Sequence, residues 1–370
     1  MTLASRMENG MPPSPSDTLP PMRPLHGGAD HPPVRLGKVG VLLVNLGTPD
    51  APETGAVRRY LREFLSDTRV VDYPRLFWLP LLYGIILNTR PAKTAKLYKS
   101  IWREESNESP LRYYTRAQAE GVREAADPEL AGHLEIDWAM RYGEPSLEEK
   151  IDALQSKGCD RLLILPLYPQ YSGSTTATVV DEVGRILKQK AWQPSIRVAP
   201  PFYDEDGYID ALEASMRKHV TGSVERVILS FHGIPQRYFR QGDPYHCHCQ
   251  KTARLLRERM GWDDHFAPLA FQSKFGPEKW LEPSTEDLVE AAAEEGVKHL
   301  AIVAPAFVSD CIETLEEVDM GLREGFINKG GSVFTSIPCL NTDDAFIQFL
   351  HSFIMQELSG WVSSPSGGKR

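Results

Sequence analysis

The chain has 370 residues, which is enough for two ordinary domains that each bury a core. Its 50 acidic residues outnumber the 41 basic ones, and the net charge of −9 argues against a nucleic-acid-binding protein, which usually carries a basic face. The five cysteines are odd in number and scattered, which excludes a disulfide framework and indicates a reducing, cytoplasmic setting.

Composition divides the chain into four segments. Residues 1–36 are rich in proline and lack the apolar run of a secretory signal, so we predict a disordered extension there. Residues 359–370 are predicted to be a disordered tail. Between these ends we predict an N-terminal α/β half over 37–200 and a C-terminal half over 201–358.

Continuous apolar runs predict parallel strands that are buried on both faces. In chain order these runs cover residues 39–47, 134–143, 161–170, 225–233, 266–273 and 299–307. Helical patterns lie between them at residues 54–65, 113–126, 146–157, 176–190, 207–220, 247–260 and 284–295. This alternation predicts an α/β fold with two similar doubly wound, Rossmann-like halves, parallel sheets and a ligand cleft between the halves.

The ligand of this cleft is not predicted to be a nucleotide. The order of elements repeats between the halves, and in each half the unusual residues follow the carboxyl ends of strands, where open α/β sheets bind ligands. However, the chain has neither a G-x-G-x-x-G turn between a strand and a helix nor a G-x-x-x-x-G-K-[ST] loop.

An apolar run at 76–87, LFWLPLLYGIIL, allows two interpretations. It is too short to span a bilayer, and Pro80 and Gly84 interrupt it. It is either a buried helix or an exposed apolar lip that admits an apolar ligand or makes peripheral contact with a membrane.

His232 ends a predicted strand, and the turn residues Gly233 and Pro235 follow it. The imidazole is therefore expected at the carboxyl edge of the sheet. It is either a structural histidine or a group that binds a metal or takes a proton near pH 7.

A row of carboxylates follows the last predicted strand. Asp310 and Glu313 have the spacing of a helix capping box, which would make Glu313 purely structural. Glu313 and Glu317 also share one helix face, with Glu316 and Asp319 nearby, and such a row can attract a divalent cation or pass protons.

The predicted cleft loops also carry binding groups. Aromatic and amide side chains there suggest a flat, apolar ligand: Tyr142, Tyr168, Tyr171, Gln272, Trp280 and Phe307. Arg141 and residues 172–176 are candidates for binding an acidic edge of that ligand. The His-Cys-His-Cys run at 246–249 is a weak metal motif, because it lacks the usual C-x₂₋₄-C spacing.

Seven motifs, in order and with fitting spacing, resemble the ferrochelatase family over roughly residues 38–350. They are VNLGTPDAPE (44–53), MRYGEPSL (140–147), YPQYSGSTT (168–176), SFHGIPQRY (230–238), GDPYHCHC (242–249), FQSKFGPEKWLEP (271–283) and FVSDCIETLEEVD (307–319). The resemblance implies insertion of Fe²⁺ into protoporphyrin IX to form haem b. The cleft would bind a distorted porphyrin, and two pyrrole protons would leave.

The resemblance also assigns roles to residues of this chain. It implies that His232 and Glu313 are catalytic and that, with Glu317, they contact the metal; Asp319 would extend the acidic path. The segment 76–87 matches the apolar lip. The implied porphyrin-binding residues are Leu46, Tyr98, Arg141, Tyr142, Tyr168, Ser174, Thr175, Ser273, Trp280 and Phe307.

Two departures from the family pattern bear on chemistry. Cys311 stands where some members have a histidine, which removes a possible hydrogen-bond partner of Glu313. Gly173 stands where some members have a cysteine ligand of a [2Fe–2S] cluster, and a C-terminal cysteine group is missing. We therefore expect no cluster and no tightly bound cofactor, with Fe²⁺ as a substrate only.

Neighbouring functions stay open at the level of sequence. They are a chelatase for another tetrapyrrole such as coproporphyrin III, a chelatase for another metal, and a non-catalytic porphyrin or haem carrier. The expected partners are protoporphyrin IX and Fe²⁺, with no nucleic acid and no obligate protein partner.

Overall fold

The computed structural model describes residues 37–362, apart from residues 131 and 277. The predicted disordered extension (1–36) lies outside the described residues, as does the part of the predicted tail from residue 363 onward. The first residues of that tail, 359–362, are ordered, which corrects the prediction. They pack on the first sheet: the Trp361 carbonyl accepts a hydrogen bond from Arg161, and the guanidinium of Arg197 lies 4.4 Å from the centre of the Trp361 ring.

The first sheet has four parallel strands in the spatial order β2-β1-β3-β4. Its strands are β1 (Lys38–Gly47), β2 (Leu134–Tyr142), β3 (Cys159–Pro166) and β4 (Ser195–Val198). The helices of this half are α1 (Thr54–Ser66), α2 (Arg75–Leu81), α3 (Leu87–Ile101), α4 (Pro110–Ala125), α5 (Leu147–Ser156) and α6 (Thr178–Lys188). Short π-helical segments, Leu82–Ile86 and Gly173–Ala177, precede α3 and α6, and Pro128–Leu130 forms a 3₁₀ turn.

The second sheet repeats this arrangement in the order β6-β5-β7-β8, again with parallel strands. Its strands are β5 (Arg226–His232), β6 (Leu269–Gln272), β7 (His299–Val303) and β8 (Val333–Ser336). The accompanying helices are α7 (Asp206–His219), α8 (Gln236–Arg240), α9 (Tyr245–Met260), α10 (Thr285–Glu294), α11 (Arg323–Asn328) and α12 (Asp344–Glu357). A π-helical segment, Glu313–Leu322, runs directly into α11.

The predicted fold class is confirmed: two similar parallel α/β sheets are present, and all six predicted strands exist. The strands β4 and β8 were not predicted, because each is a four-residue, partly exposed edge strand without a long apolar run. Two predicted strands end too late, since 167–170 and 304–307 are loops. The boundary near residue 200 between the halves stays a prediction.

One hydrophobic core joins the two sheets. It contains Val41 of β1 and Phe231 of β5, both fully buried. The last helix, α12, contributes Phe346 and Leu350 to the same core, and Ile347 of α12 packs against Gly121 of α4. Because buried packing resists displacement, this shared core fixes how the carboxyl ends of the two sheets face each other.

Candidate active site

A cavity of about 860 Å³ lies between the halves, at the carboxyl ends of the central strands. Its size is within the usual range for small-molecule sites, and its walls are mostly apolar and aromatic. Most of the predicted site residues line it: Leu46, Tyr98, Tyr168, Ser174, Thr175, His232, Ser273, Trp280, Phe307 and Glu313. The structure thus places these side chains, from both halves, around one ligand space.

His232 presents one defined nitrogen to this cavity. Its Nδ1 lies 2.6 Å from the carbonyl oxygen of Gly233. A carbonyl only accepts hydrogen bonds, so Nδ1 must donate, and the lone pair of the neutral ring is on Nε2. The residue after His232 has to be glycine, because a Cβ there would lie 2.7 Å from the Gln272 carbonyl oxygen and 3.1 Å from the Trp280 ring.

Glu313 is not held in a capping box, so this structural explanation of Glu313 does not apply. The π-helical segment that it begins has Ile312 at the cap position, without a side-chain hydrogen bond. The Asp310 carboxylate instead accepts hydrogen bonds from Thr314 Oγ1 (2.9 Å) and Asn341 Nδ2 (2.6 Å). Glu313 therefore lines the cavity while Asp310 organises the backbone behind it.

Cys311 supplies the local partner that Glu313 was expected to lack. Burial raises the pKa of the Cys311 thiol well above its usual range, and the charge of Glu313 and a hydrogen bond to it add to this effect. A thiol held protonated can act only as a weak donor to the carboxylate. The cysteine thus replaces a histidine partner with a weaker, uncharged one.

Glu317 lies behind the cavity wall and is tied to Ser273. The amide N–H and hydroxyl of Ser273 donate to the two Glu317 oxygens at 2.7 and 2.6 Å. Ser273 has a φ of 64°, an uncommon backbone conformation for a residue other than glycine, which strained sites often retain. Burial raises the pKa of Glu317, against the opposing effects of Ser273 and His232.

Among residues 37–362, as far as the structure describes them, no three His, Cys, Asp or Glu side chains could hold one metal ion. The predicted metal contacts of His232, Glu313 and Glu317 stay a prediction. In the structure the Glu317 carboxylate is bound to Ser273 through two hydrogen bonds.

The His-Cys-His-Cys run at 246–249 does not converge on a point either. His248 accepts a hydrogen bond from the Tyr171 amide through Nδ1 and stacks on Tyr203, with 3.8 Å between ring centres. Cys249 is fully buried, whereas Cys247 is exposed. These residues begin helix α9, and helical geometry turns neighbouring side chains in different directions.

Arg141 and Tyr142 are not among the residues that line the cavity, and their role in porphyrin binding stays a prediction. Asp67 binds both side chains: its Oδ2 accepts from Arg141 Nη2 at 2.7 Å and from the Tyr142 hydroxyl at 2.8 Å. Thr178 completes the network by accepting from Arg141 Nε at 2.8 Å. These hydrogen bonds connect Asp67, which follows α1, with the end of β2 and the start of α6.

Arg90 is a cavity residue that the sequence analysis missed. Its guanidinium lies 4.2 Å from the ring centre of Phe275, at the mouth of the cavity. Burial lowers the pKa of Arg90, and this side chain forms no ion pair with the residues that the structure describes. Arg90 lies on helix α3 and not at the end of a strand, so the strand-end pattern did not mark it as a binding residue. The one available indication was that a basic residue closely follows the apolar run 76–87.

The segment 76–87 is helical and exposes most of its side chains, with Leu82 and Leu87 buried beneath, so it fits the exposed-lip interpretation better than that of a buried helix. The side chains of Leu76 and Phe77 are 81% and 75% exposed, and Tyr83 and Ile85 are exposed as well. We call this segment the apolar lip; Phe77 and Leu81 in it reach the cavity mouth. No helix in the described part of the chain is long and apolar enough to cross a membrane.

The fold, with two parallel sheets facing one cleft, is shared with solved structures that include a chelatase. The structure is similar to SirB from Bacillus subtilis with Fe³⁺, with a TM-score of 0.53, 11% identity, and coverage of 86% of this chain and 95% of that one. It is similar to the sirohydrochlorin chelatase SirB from Bacillus subtilis subspecies spizizenii in complex with cobalt, with a TM-score of 0.51, 11% identity, and coverage of 90% and 98%. At this identity the likeness concerns the fold alone.

Sequence comparison identifies the family. The ferrochelatase family profile matches residues 38–358. A ferrochelatase of Rhizobium meliloti (strain 1021) is 52% identical over 343 residues, covering 91% of this chain and 100% of the relative. A ferrochelatase of Rhodopseudomonas palustris (strain TIE-1) is 52% identical over 342 residues, covering 92% and 99%. The chain belongs to the ferrochelatase family, lyases of haem biosynthesis that insert iron into a porphyrin.

Proposed function

We propose that this protein inserts Fe²⁺ into protoporphyrin IX and so forms haem b. The observation that supports this most directly is that His232 and Glu313 both line one apolar cavity. His232 is the last residue of β5, and Glu313 begins the π-helical segment that follows β7, so they reach the ligand space from separate positions. A carrier needs the apolar cavity but has no use for a base and a carboxylate inside it.

The cavity wall suits a flat, apolar ring with a few acidic groups. Leu46, Tyr98, Tyr168 and Trp280 provide apolar and aromatic contact. Arg90 provides a cation without an ion-pair partner among the described residues, as a propionate would require. A single such cation at the mouth and an apolar lip favour protoporphyrin, which has two carboxylates, over coproporphyrin, which has four.

Metal insertion requires that two pyrrole protons leave and that iron sheds water. The Nε2 of His232 is a suitable acceptor for a pyrrole proton, because Nδ1 is engaged by the Gly233 carbonyl. Imidazole and carboxylate are both suitable ligands for Fe²⁺ in transit, and the same groups also accept Zn²⁺ and Co²⁺. A cleft that binds a buckled ring more tightly than a flat one would lower the barrier to insertion.

Anaerobic incubation with Fe²⁺ and protoporphyrin IX tests this function through the loss of porphyrin fluorescence. Parallel reactions with coproporphyrin III and with Zn²⁺ give the ratio of kcat/KM values that defines the preferred substrates. A carrier would bind porphyrin without metallation.

Glu313→Gln is expected to lower kcat about 100-fold, since general acid–base groups typically contribute 10²–10⁴-fold. Full activity of both Glu313→Gln and His232→Ala would refute the mechanism but not the family.

We also propose a cytoplasmic protein that touches membranes through the apolar lip, residues 76–87. Sedimentation with phospholipid vesicles should capture the wild type but not the double variant Leu76→Ser/Phe77→Ser. Val333→Ser is the matched control, because this exposed apolar residue lies on the edge strand β8, outside the cavity lining. Equal capture of all three proteins would exclude this contact.

We propose that the protein works without a resident cofactor. Of the five cysteines, Cys159, Cys249 and Cys311 are buried in different parts of the fold, on β3, on α9 and behind Glu313. Purification under anaerobic conditions should yield a protein without the visible absorption of a [2Fe–2S] cluster. Acid-labile sulfide in the purified protein would contradict this expectation.

A further inference from the structure

Gln118 is a fully buried amide of helix α4 that reaches from the N-terminal half into the C-terminal half. Its Nε2 donates to the Val308 carbonyl (3.2 Å), the Ser309 hydroxyl (3.0 Å) and the Asn341 carbonyl (2.8 Å). Its Oε1 has no hydrogen-bond partner among the described residues. The amide orientation is therefore set by the carbonyl acceptors, because a flipped amide would point its oxygen at two other oxygens.

Two of these acceptors, those of Val308 and Ser309, belong to the loop of residues 304–312, which follows β7 and which we call the post-β7 loop. This loop carries Phe307, which lines the cavity, and runs directly into Glu313. A loop without regular hydrogen bonds of its own is positioned by its neighbours. Here the neighbour is a side chain from the opposite half of the molecule.

Asn341, the third acceptor, also forms hydrogen bonds to the post-β7 loop through its side chain. It has a φ of 48°, which is uncommon for a residue other than glycine. Its Oδ1 accepts from the Asp310 amide at 2.9 Å, and its Nδ2 donates to Asp310 Oδ2 at 2.6 Å. Gln118 is thus hydrogen-bonded to Asn341, which in turn is hydrogen-bonded to Asp310.

The network continues to the turn that carries the carboxylate. Thr314 Oγ1 donates to Asp310 Oδ1 at 2.9 Å and accepts from the Cys311 amide at 3.0 Å. Cys311 in turn is the thiol neighbour of Glu313. A continuous set of buried hydrogen bonds therefore links helix α4 to the first turn of the π-helical segment, and hydrogen bonds in a buried, low-dielectric setting are stronger than those exposed to water.

We propose that Gln118 is a positioning residue for metal insertion. Through Asn341 and Asp310 it sets where the Glu313 carboxylate stands relative to His232 across the cavity. This inference rests on the proposed function, in which Glu313 acts on the bound porphyrin. Gln118 itself touches neither substrate, since it is absent from the cavity lining.

The test is a double-mutant cycle with Gln118→Leu and Asn341→Gly. Leucine keeps the bulk of Gln118 without its donors, and glycine tolerates the positive φ of Asn341 while removing its side chain. Each variant is expected to lower kcat for metal insertion about 10- to 100-fold, because small misplacements of reacting groups can cost that much. The KM for porphyrin should change less than about 2-fold, and the double variant should be no slower than the slower single one.

A matched control separates positioning from loss of stability. Ile151 of helix α5 is also fully buried, and it is absent from the cavity lining and from the post-β7 loop. Ile151→Ala should reduce thermal stability and leave kcat unchanged. Unchanged kcat in Gln118→Leu, additive effects in the cycle, or an equal kcat loss in Ile151→Ala would each overturn the proposal. If the wild type itself inserts no metal, the proposed function fails instead.

Discussion

The two halves of the molecule have the same sheet but contribute differently to the site. In both halves the first strand lies second in the sheet, with orders β2-β1-β3-β4 and β6-β5-β7-β8. In the N-terminal half β1 is followed by α1 and by the exposed apolar lip. In the C-terminal half, His232 ends β5, Ser273 directly follows β6, and Glu313 begins the π-helical segment that follows β7. The same framework thus provides mainly ligand-binding surface on one side and titratable groups on the other.

This difference follows from how strongly packing and hydrogen bonds fix the lip in one half and the strand-end segments in the other. One face of the lip is buried through Leu82 and Leu87. Its other large apolar side chains, such as those of Leu76 and Phe77, stay exposed, as a surface that receives an apolar ligand requires. The C-terminal loops are fixed by the hydrogen bonds around Asp310 and by the Ser273–Glu317 pair. Reacting groups have to be preorganised, whereas a binding lip does not. Variants in the two halves should therefore affect different kinetic constants.

The largest effect is expected for His232→Ala. Removing the Nε2 acceptor should lower kcat about 1,000-fold, within the range of general acid–base catalysis, while the Kd for porphyrin changes little. Stopped-flow metallation and fluorescence titration measure the two quantities. His265→Ala is a matched control, because this histidine is exposed and pairs only with Arg226 among the described residues. A large rise in Kd with unchanged kcat would place His232 with the binding residues instead.

The second prediction separates two arginines of the N-terminal half. Arg141→Ala should destabilise the fold by roughly 3 kcal/mol, because it leaves the largely buried Asp67 without its charged partner. Arg90→Ala should instead raise the KM for porphyrin and leave stability nearly unchanged, since no described ion pair is lost. Urea denaturation and steady-state kinetics of both variants measure these effects. The reverse result would support Arg141 as a porphyrin-binding residue.

The sequence predicted the fold well because the central strands are buried on both faces. The runs 39–47 and 225–233 are almost uninterrupted apolar sequence, and they became β1 and β5 with boundaries correct to one residue. The four-residue strands β4 and β8 have no comparable pattern. Helices that follow polar or proline-containing sequence, such as α2 and the segment Glu313–Leu322, were also not delimited.

The site was predictable where position at a strand end is enough. His232, Tyr168 and Phe307 line the cavity because they lie at or just after the carboxyl ends of β5, β3 and β7, which face it. Arg141 lies at such a strand end too, yet Asp67, far away in sequence, captures its side chain. Arg90 and Gln118 lie on helices, and only tertiary packing brings them to the cavity mouth and to the post-β7 loop. Long-range partners of this kind leave no local pattern in a single sequence.

A smaller effect is expected at the apolar lip. The double variant Leu76→Ser/Phe77→Ser should raise the KM for porphyrin about 3- to 10-fold, as expected for about 1 kcal/mol of lost apolar contact. The kcat and the thermal stability should stay the same, since both side chains are largely exposed in the free protein. Detergent-free kinetics with a soluble porphyrin measure this separately from membrane binding. A fall in kcat would show that the lip also takes part in shaping the ring.

The smallest effect concerns the pH dependence of stability. Burial raises the folded-state pKa of Glu317, so between the ordinary carboxyl pKa of about 4.3 and the raised value the folded protein holds a proton that the unfolded chain has lost. This contribution is fully present below the unfolded pKa and is lost as pH rises through the folded pKa. Glu317→Gln cannot titrate, so its unfolding free energy should decline less steeply over this window than that of the wild type. Parallel slopes for the wild type and Glu317→Gln would mean that the Ser273 hydrogen bonds offset burial and leave the pKa of Glu317 without a net rise. The wall behind Glu313 would then be negatively charged before any metal arrives.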